Sequence, residues 1–424
     1  MFNWYTELGN MAHMSLNQYL QQVDSAWRNR DGKLLGEFLS FRHPHVVSSR
    51  LHIENPDSAV ERVIDPPLDE IVAAHLRCVF SATNQEYVEA YRWQTQAMQA
   101  ACKALQAQRD ENWLLPMILS LCLDLRLLAL SADNERSKRG QGPPRETLEK
   151  AADCLMSCFR ICAADNRSSE EDTKRWGMLA LVNQLFKVYF RINKLHLCRP
   201  LIRAIESTPL KDHFSLSQQV TYRYYVGRKA MFDSDYVQAD EYLSFAFQRC
   251  HKQCARNKRL ILIYLIPVKV LLGYMPSRRV LEKYDLLQLW DVVEAVKAGD
   301  IGRLNAAVQL HEAFFIKCGI YLLLEKLKIV TYRNLFKKVH LILNTHQIPV
   351  EAFVCALKCV SENGKQKPVS DPSNEYLGEV TADEVECIIA NLIFEGKIKG
   401  YISRQHQKVV VSKSNAFPPL NSLN

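Results

Sequence analysis

The side chains whose type and spacing could do chemistry are basic, and they gather towards the C-terminus. Arg333, Lys337 and Lys338 share one helical pattern, and Lys397, Lys399, Arg404, Lys408 and Lys413 crowd a short segment downstream of it. Ammonium and guanidinium groups at this density suit contact with phosphate, which releases counterions and depends little on base sequence. Long basic side chains also cover apolar surface while keeping their heads in water, so a purely structural use stays open. A second basic group, Arg256, Lys258 and Arg259, precedes the apolar run Leu260 to Leu272. That juxtaposition suits an acidic, aromatic-anchored chain that folds on binding, or else a repeat helix with a solvated first turn.

Covalent and acid–base chemistry find no comparable grouping. The chain has no G-x-x-x-x-G-K-[ST], G-x-G-x-x-G, H-E-x-x-H or G-x-S-x-G. His43-Pro44-His45 is a rigid pair, but no carboxylate stands near it in sequence to orient a ligand or base. Thirteen cysteines include Cys154, Cys158 and Cys162, Cys250 and Cys254, and Cys355 and Cys359, all at helical i, i+4 spacing. That spacing stacks thiols on one helical face, where they behave as small hydrophobes, and it lacks the C-x2-C pairs of a zinc site. The expectation is a non-enzymatic protein with reduced core thiols, no metal and no cofactor, working in the cytosol or nucleus.

Composition agrees with a folded chain of several modules: 48% of residues are apolar and 24% charged over 424 positions. The net charge of +8 is polarised, with 25 Lys and Arg against 16 Asp and Glu from Arg249 onward, and 29 against 30 before it. A polyanionic partner for the C-terminal part is one reading and a basic surface for solubility is another. Asp124 and Arg126 interrupt Trp113 to Leu130, and Pro267 and Lys269 interrupt Leu260 to Leu272, so no membrane insertion is expected. The first ten residues lack the basic flank and apolar core of a secretory signal, and Met11 offers a second start.

The elements that position these residues read as helices. Ser15 caps a pattern of Leu16, Tyr19, Leu20, Val23 and Trp27 that stops at Asp31-Gly32. Further patterns run over 68–82, 85–108, 112–131, 146–163, 172–192, 195–206, 217–231, 236–251 and 257–272, with Ala132 to Arg145 as an exposed loop. Gly227, Ala239 and Ala246 are spaced as in a degenerate tetratricopeptide pair, with Asp233-Ser234-Asp235 as its turn. After residue 331 come three helices, 331–343, 349–360 and 381–394, the last capped by Thr381 with Glu384. A hairpin through Ile398, Tyr401, Ile402 and then Val409 to Val411 follows. Three helices and a hairpin make a winged helix. The fold class is therefore all-α, a helical-pair solenoid followed by a C-terminal winged helix. Its parts are a flexible extension (1–14), N-terminal repeats (15–205), a tetratricopeptide-like part (206–330) and the winged helix (331–415), with a mobile insertion at 361–379.

The run HEAFFIKCGIYLLLEKLKIVTYRNLFKKV, then DEVECIIANLIFEGKIKGYISRQHQKVVVSK, resembles a PCI domain, the repeat-plus-winged-helix module of proteasome-lid, signalosome and initiation-factor subunits. Its most specific phrase is I-x-x-L-I-x-x-G-x-I-x-G-x-I, Ile389 to Ile402. NQYLQQV, HLCRPLIRAI, YYVGRKAMFDSD, EYLSFAF and ILIYLIPVK look like the branch of the family found in the nuclear transcription-and-export complex 2. The resemblance runs from about Met11 to Pro419; the N-terminal extension and the 361–379 insertion depart from it. It implies pairing with a larger PCI-like scaffold of the germinal-centre-associated nuclear protein type, two winged helices lying side by side. It also implies a small acidic subunit, the split-hand/foot-deleted protein, wrapped on the repeats. Association with nuclear pores, with a cytoplasmic pool possible, would couple transcription to messenger RNA export through non-specific RNA or DNA contact. On this reading Arg256, Lys258 and Arg259 meet the acidic subunit. Ile398, Tyr401 and Val410 divide between the module's core and the PCI partner, beside an outer strand at Val409 to Ser412. The competing reading is a purely protein-binding scaffold of the lid, signalosome or initiation-factor type, with no nucleic-acid contact.

Overall fold

Ser15 and Gln18 close the first helix reciprocally: the Gln18 amide donates to Ser15 Oγ at 3.4 Å, and the Ser15 amide donates to Gln18 Oε1 at 3.0 Å. The helix α1 (Leu16–Arg28) buries Tyr19, Leu20, Val23 and Ala26. The computed structural model describes residues 14–108, 111–140, 142–143, 145–166, 171–362 and 380–422. The expected flexible extension falls almost wholly outside the described residues, as does nearly all of the 361–379 insertion.

The helix α1 stops at Arg28, just short of the expected end at Asp31-Gly32, and a second helix starts there. Asp31 Oδ1 accepts from the Lys33 and Leu34 amides and starts α2 (Gly32–Phe38). Gly32 is required by close approach, because a Cβ there would lie 1.6 Å from the Trp113 carbonyl oxygen. After the short α3 (Asp57–Val60), a stack follows of α4 (Leu68–Thr83), α5 (Tyr87–Ala107), α6 (Leu115–Lys138), α7 (Glu146–Ala163), α8 (Met178–Ile192) and α9 (Cys198–Glu206), each of the first five packing on the next. The expected loop from Ala132 is corrected, since α6 continues to Lys138. Asp133 is retained in helix because its carboxylate accepts from the Thr147 and Leu148 amides at 3.0 and 3.1 Å, capping α7 from outside.

By length and composition alone α6 could cross a bilayer. Here it is a core helix, burying Met117, Ile118, Leu121, Leu125 and Leu128. Its buried Asp124 accepts from the Phe41 amide at 3.0 Å.

The chain divides into two units between Tyr222 and Arg223, inside α10 (Leu216–Phe232). In the second unit, Gly227 faces α11 (Tyr236–Arg249), where an added Cβ would sit 2.7 Å from Leu243 Cγ, and Ala239 and Ala246 are buried on the facing helix. The tetratricopeptide-like spacing thus marks a real close approach. Next come α12 (Ala255–Leu271), α13 (Arg278–Lys283), α14 (Trp290–Ala298), α15 (Ile301–Leu310) and α16 (Glu312–Cys318).

The winged helix is built from α17 (Tyr321–Leu343), β1 (Gln347–Pro349), α18 (Val350–Glu362), α19 (Ala382–Phe394), β2 (Gly400–Ser403) and β3 (Lys408–Val411). Its core joins Leu335, Phe336 and Val339 to Phe353, Leu357, Val385, Ile389, Leu392, Ile398, Val409 and Val411. The sheet is antiparallel with strand order β1-β3-β2. The strand β1 has only three residues and ends on Pro349, which is why alternation did not reveal it. With β1 in place, the strand expected at the outer edge, Val409 to Ser412, is central as β3, and β1 and β2 form the edges of this sheet.

Candidate nucleic-acid and partner interface

The β2–β3 hairpin carries most of the exposed basic residues of the winged helix. Register places Ser403 opposite Lys408 and Gly400 opposite Val411. Lys399 and Lys413 therefore flank the open end, where the Ser412 amide donates to the Lys399 carbonyl at 2.8 Å. Arg404 and Lys408 flank the turn, which Gln407 closes at positive φ. Lys399, Arg404, Lys408 and Lys413 are all exposed. At about 3.3 Å per residue over five residues of each strand, the two clusters stand roughly 16 Å apart.

Arg404 has a second role. Its side chain is 77% exposed, yet Nε donates to Glu386 Oε2 at 3.0 Å, and Glu386 is only 6% exposed. The hydrogen bond and charge of Glu386 hold the guanidinium above its ordinary value. Lys397 is ion-paired with Glu395. On α17, Lys337 is half-buried and Lys338 is exposed, with Nζ donating to the Ala298 carbonyl at the end of α14 at 2.7 Å.

Arg333 is not a phosphate ligand. It is 5% exposed, and Nη2 donates to the Phe417 and Pro418 carbonyls at 3.1 and 2.7 Å. Burial lowers its pKa below the ordinary guanidinium range. It fastens the segment after β3 onto α17, and its periodicity could not show this because those carbonyls belong to an irregular segment. Lys258 is corrected in the same way. It is 7% exposed, Nζ donates to the Phe247 carbonyl at 2.6 Å and lies 4.5 Å from the Phe247 ring centroid. Arg259 donates to the Asp285 carbonyl at 3.0 Å, which leaves Arg256 as the solvated member of that trio.

Of the three residues expected to share core and partner face, Ile398 is 2% exposed and belongs to the core. Tyr401 is 62% exposed and pairs directly with half-buried Val410, while Val409 and Val411 on either side are buried. Tyr401 and Val410 therefore point away from the core. Phe394, unremarked in the sequence, is 91% exposed. It lies nine residues beyond Val385 on α19, half a turn from the Val385, Ile389 and Leu392 stripe, so helical period alone places it outward. Ile342 on α17 is 81% exposed. A further apolar hollow of about 430 Å³ is lined by Met231, Phe232, Ile316, Leu322 and Leu323, with Lys326 donating to Ser234 Oγ and Tyr236 Oη.

Nothing in the geometry assembles a catalytic centre from the candidate histidines. His45 contacts His43 through Nδ1 at 2.9 Å and His75 through Nε2 at 3.0 Å, so both its ring nitrogens are used within the chain of imidazoles. Among the described residues no group of three His, Cys, Asp or Glu side chains is arranged to hold a metal ion. The cysteines are free, and Cys158, Cys162 and Cys250 are buried. Cys254, Cys355 and Cys359 are exposed, so i, i+4 spacing did not place every thiol in the core.

The PCI domain profile matches residues 307–413, the span from α15 through β3. PCI domain-containing protein 2 of Danio rerio is 56% identical over 413 residues, 97% of this chain and 100% of the relative. The protein of the same name from Xenopus laevis is 54% identical over the same shares of both chains. The chain belongs to the PCI domain-containing protein 2 family. The Drosophila melanogaster homolog is 51% identical over 96% of this chain and 99% of its own length, so family membership covers both units and not the winged helix alone. Within a PCI domain, the winged helix described above is the expected C-terminal module, and the family assignment agrees with a helical scaffold.

Proposed function

We propose that this PCI protein is a non-enzymatic scaffold subunit of a nuclear, pore-associated complex that couples transcription to messenger RNA export. It pairs with a larger PCI-like scaffold of the germinal-centre-associated nuclear protein type, holds a small acidic split-hand/foot-deleted subunit, and contacts RNA or DNA non-specifically through its winged helix. The observation that carries nucleic-acid contact is the exposed hairpin with basic residues at both ends: Lys399 with Lys413, and Arg404 with Lys408. Lysine ammonium groups on a solvent-facing hairpin reach phosphate without desolvating a core, whereas Arg333 and Lys258 are consumed inside the fold.

A purely protein-binding scaffold is the second reading, and one observation favours it: the same module exposes Phe394, Ile342 and Tyr401 and ties Arg404 and Lys397 to carboxylates. Titration of the assembled complex with single-stranded RNA and duplex DNA at several salt concentrations separates the two. Lys399→Gln, Lys408→Gln and Lys413→Gln combined should weaken binding to both and lower the salt slope by roughly 2, at about 0.7–0.9 per lost phosphate contact. Unchanged affinity and slope with assembly intact would leave the protein-binding scaffold.

A further inference from the structure

The first unit carries a surface groove of about 1010 Å³ between α5 and α7, lined by Tyr91, Gln99, Cys102, Lys103, Cys154 and Ser157. At its floor, Cys102 of α5 and Cys158 of α7 bring their sulfurs to 2.9 Å, although 56 residues separate them in sequence. Cys102 is half-buried and opens to the groove, while Cys158 is buried behind it. That separation is within about 1 Å of the roughly 2.05 Å of a sulfur–sulfur bond, so bonding asks for a small side-chain adjustment. Neither the family nor the winged helix accounts for this pair.

We infer that Cys102 and Cys158 form a reversible dithiol–disulfide pair, oxidised by peroxide, whose disulfide staples α5 to α7 beneath the groove. The oxidant is hydrogen peroxide. The Cys102 sulfur, as thiolate, attacks one peroxide oxygen; the O–O bond breaks, and the departing hydroxide takes up a proton to leave as water. Cys102 is then a sulfenic acid. The Cys158 sulfur displaces the sulfenic hydroxyl, which leaves as a second water with the Cys158 proton, and the S–S bond forms. Two thiols are oxidised by two electrons and one peroxide is reduced to two waters. The hydrogen bond to Cys158, and then burial, hold the Cys102 thiol above its ordinary value. Oxidation is accordingly slow near neutrality and quickens by about tenfold per pH unit with the thiolate fraction.

The test uses the full chain, treated with hydrogen peroxide at pH 7.5 and 8.5, alkylated and digested for peptide mass spectrometry. The expected product is a Cys102–Cys158 cross-linked peptide, formed faster at the higher pH, reversed by dithiothreitol and absent from Cys102→Ser. In Cys158→Ser the Cys102 sulfenic acid should persist and be trapped by dimedone. The wild-type digest decides the matter even if a variant misfolds. Recovery of Cys102 and Cys158 both alkylated, after the exposed Cys254, Cys355, Cys359 and Cys387 have oxidised, would overturn the proposal, and so would a bridge from Cys102 to Cys154 instead.

Discussion

Inside the first unit, His43, His45 and His75 are linked ring to ring, His45 stacked on Tyr19 with centroids 5.1 Å apart. Burial, then the neighbouring imidazoles, holds His45 at about 2 and His75 at about 3, below their ordinary 6.5. The unfolded chain binds these protons below about pH 6.5 while the folded chain refuses them until about pH 3. Stability is therefore complete above pH 6.5 and falls as pH drops. At pH 5 the loss amounts to roughly 2 kcal/mol per imidazole. Denaturant titrations at pH 8 and pH 5 should show it, and His75→Gln should roughly halve the difference by removing one of the two imidazoles; an equal pH dependence in that variant would contradict the assignment. Arg333 allows a separate test. Arg333→Ala should cost about 2–3 kcal/mol, because it strands the Phe417 and Pro418 carbonyls, and should open the segment after Val411 to proteases. A variant as stable and as protease-resistant as wild type would show that the clasp contributes nothing.

At the scale of elements, long periodic helices were legible from spacing. The span 146–163 coincides with α7, and Gly227, Ala239 and Ala246 mark the contact of α10 with α11. What escaped was decided by groups distant in sequence. Gly32 opens a further helix because only glycine fits against the Trp113 carbonyl, Asp133 reads as a loop residue until α7 needs a cap, and Gln347–Pro349 shows no strand alternation until β3 pairs with it. The winged helix was legible as three helices and a hairpin, but not its third strand, β1, which pairs at the edge of the sheet. Of its site, the hairpin lysines could be placed outward from the turn, whereas Arg333 and Lys258 found buried carbonyl partners that no local pattern encodes. Phe394 and Tyr401 leave large aromatic surface exposed on this module, which the proposed pairing with a PCI scaffold would cover. Phe394→Ser with Tyr401→Ser should abolish co-elution with the PCI partner on size exclusion while circular dichroism stays unchanged. Retained co-elution by a folded double variant would move the interface elsewhere.

For the whole molecule, the excess of basic residues from Arg249 onward is the main asymmetry, against a balanced N-terminal half. Part of that charge is spent internally, by Lys258, Arg333 and Lys397, so net charge overstates what a polyanion can reach. Exposed cations are spread along the rest of this part, Arg249, Lys252, Arg256, Arg279 and Lys283 among them, and Lys399, Arg404, Lys408 and Lys413 stand at the β2–β3 hairpin. On the function proposed above, this hairpin touches nucleic acid in the assembled complex. The most direct test is photo-crosslinking of 4-thiouridine-containing single-stranded RNA to that complex, with the joined peptides mapped by mass spectrometry. Crosslinks are expected on peptides spanning Lys397 to Lys413, where exposed Tyr401 lies among the lysines. Crosslinks confined to the partner chains, or to residues of this chain outside 331–415, would contradict it.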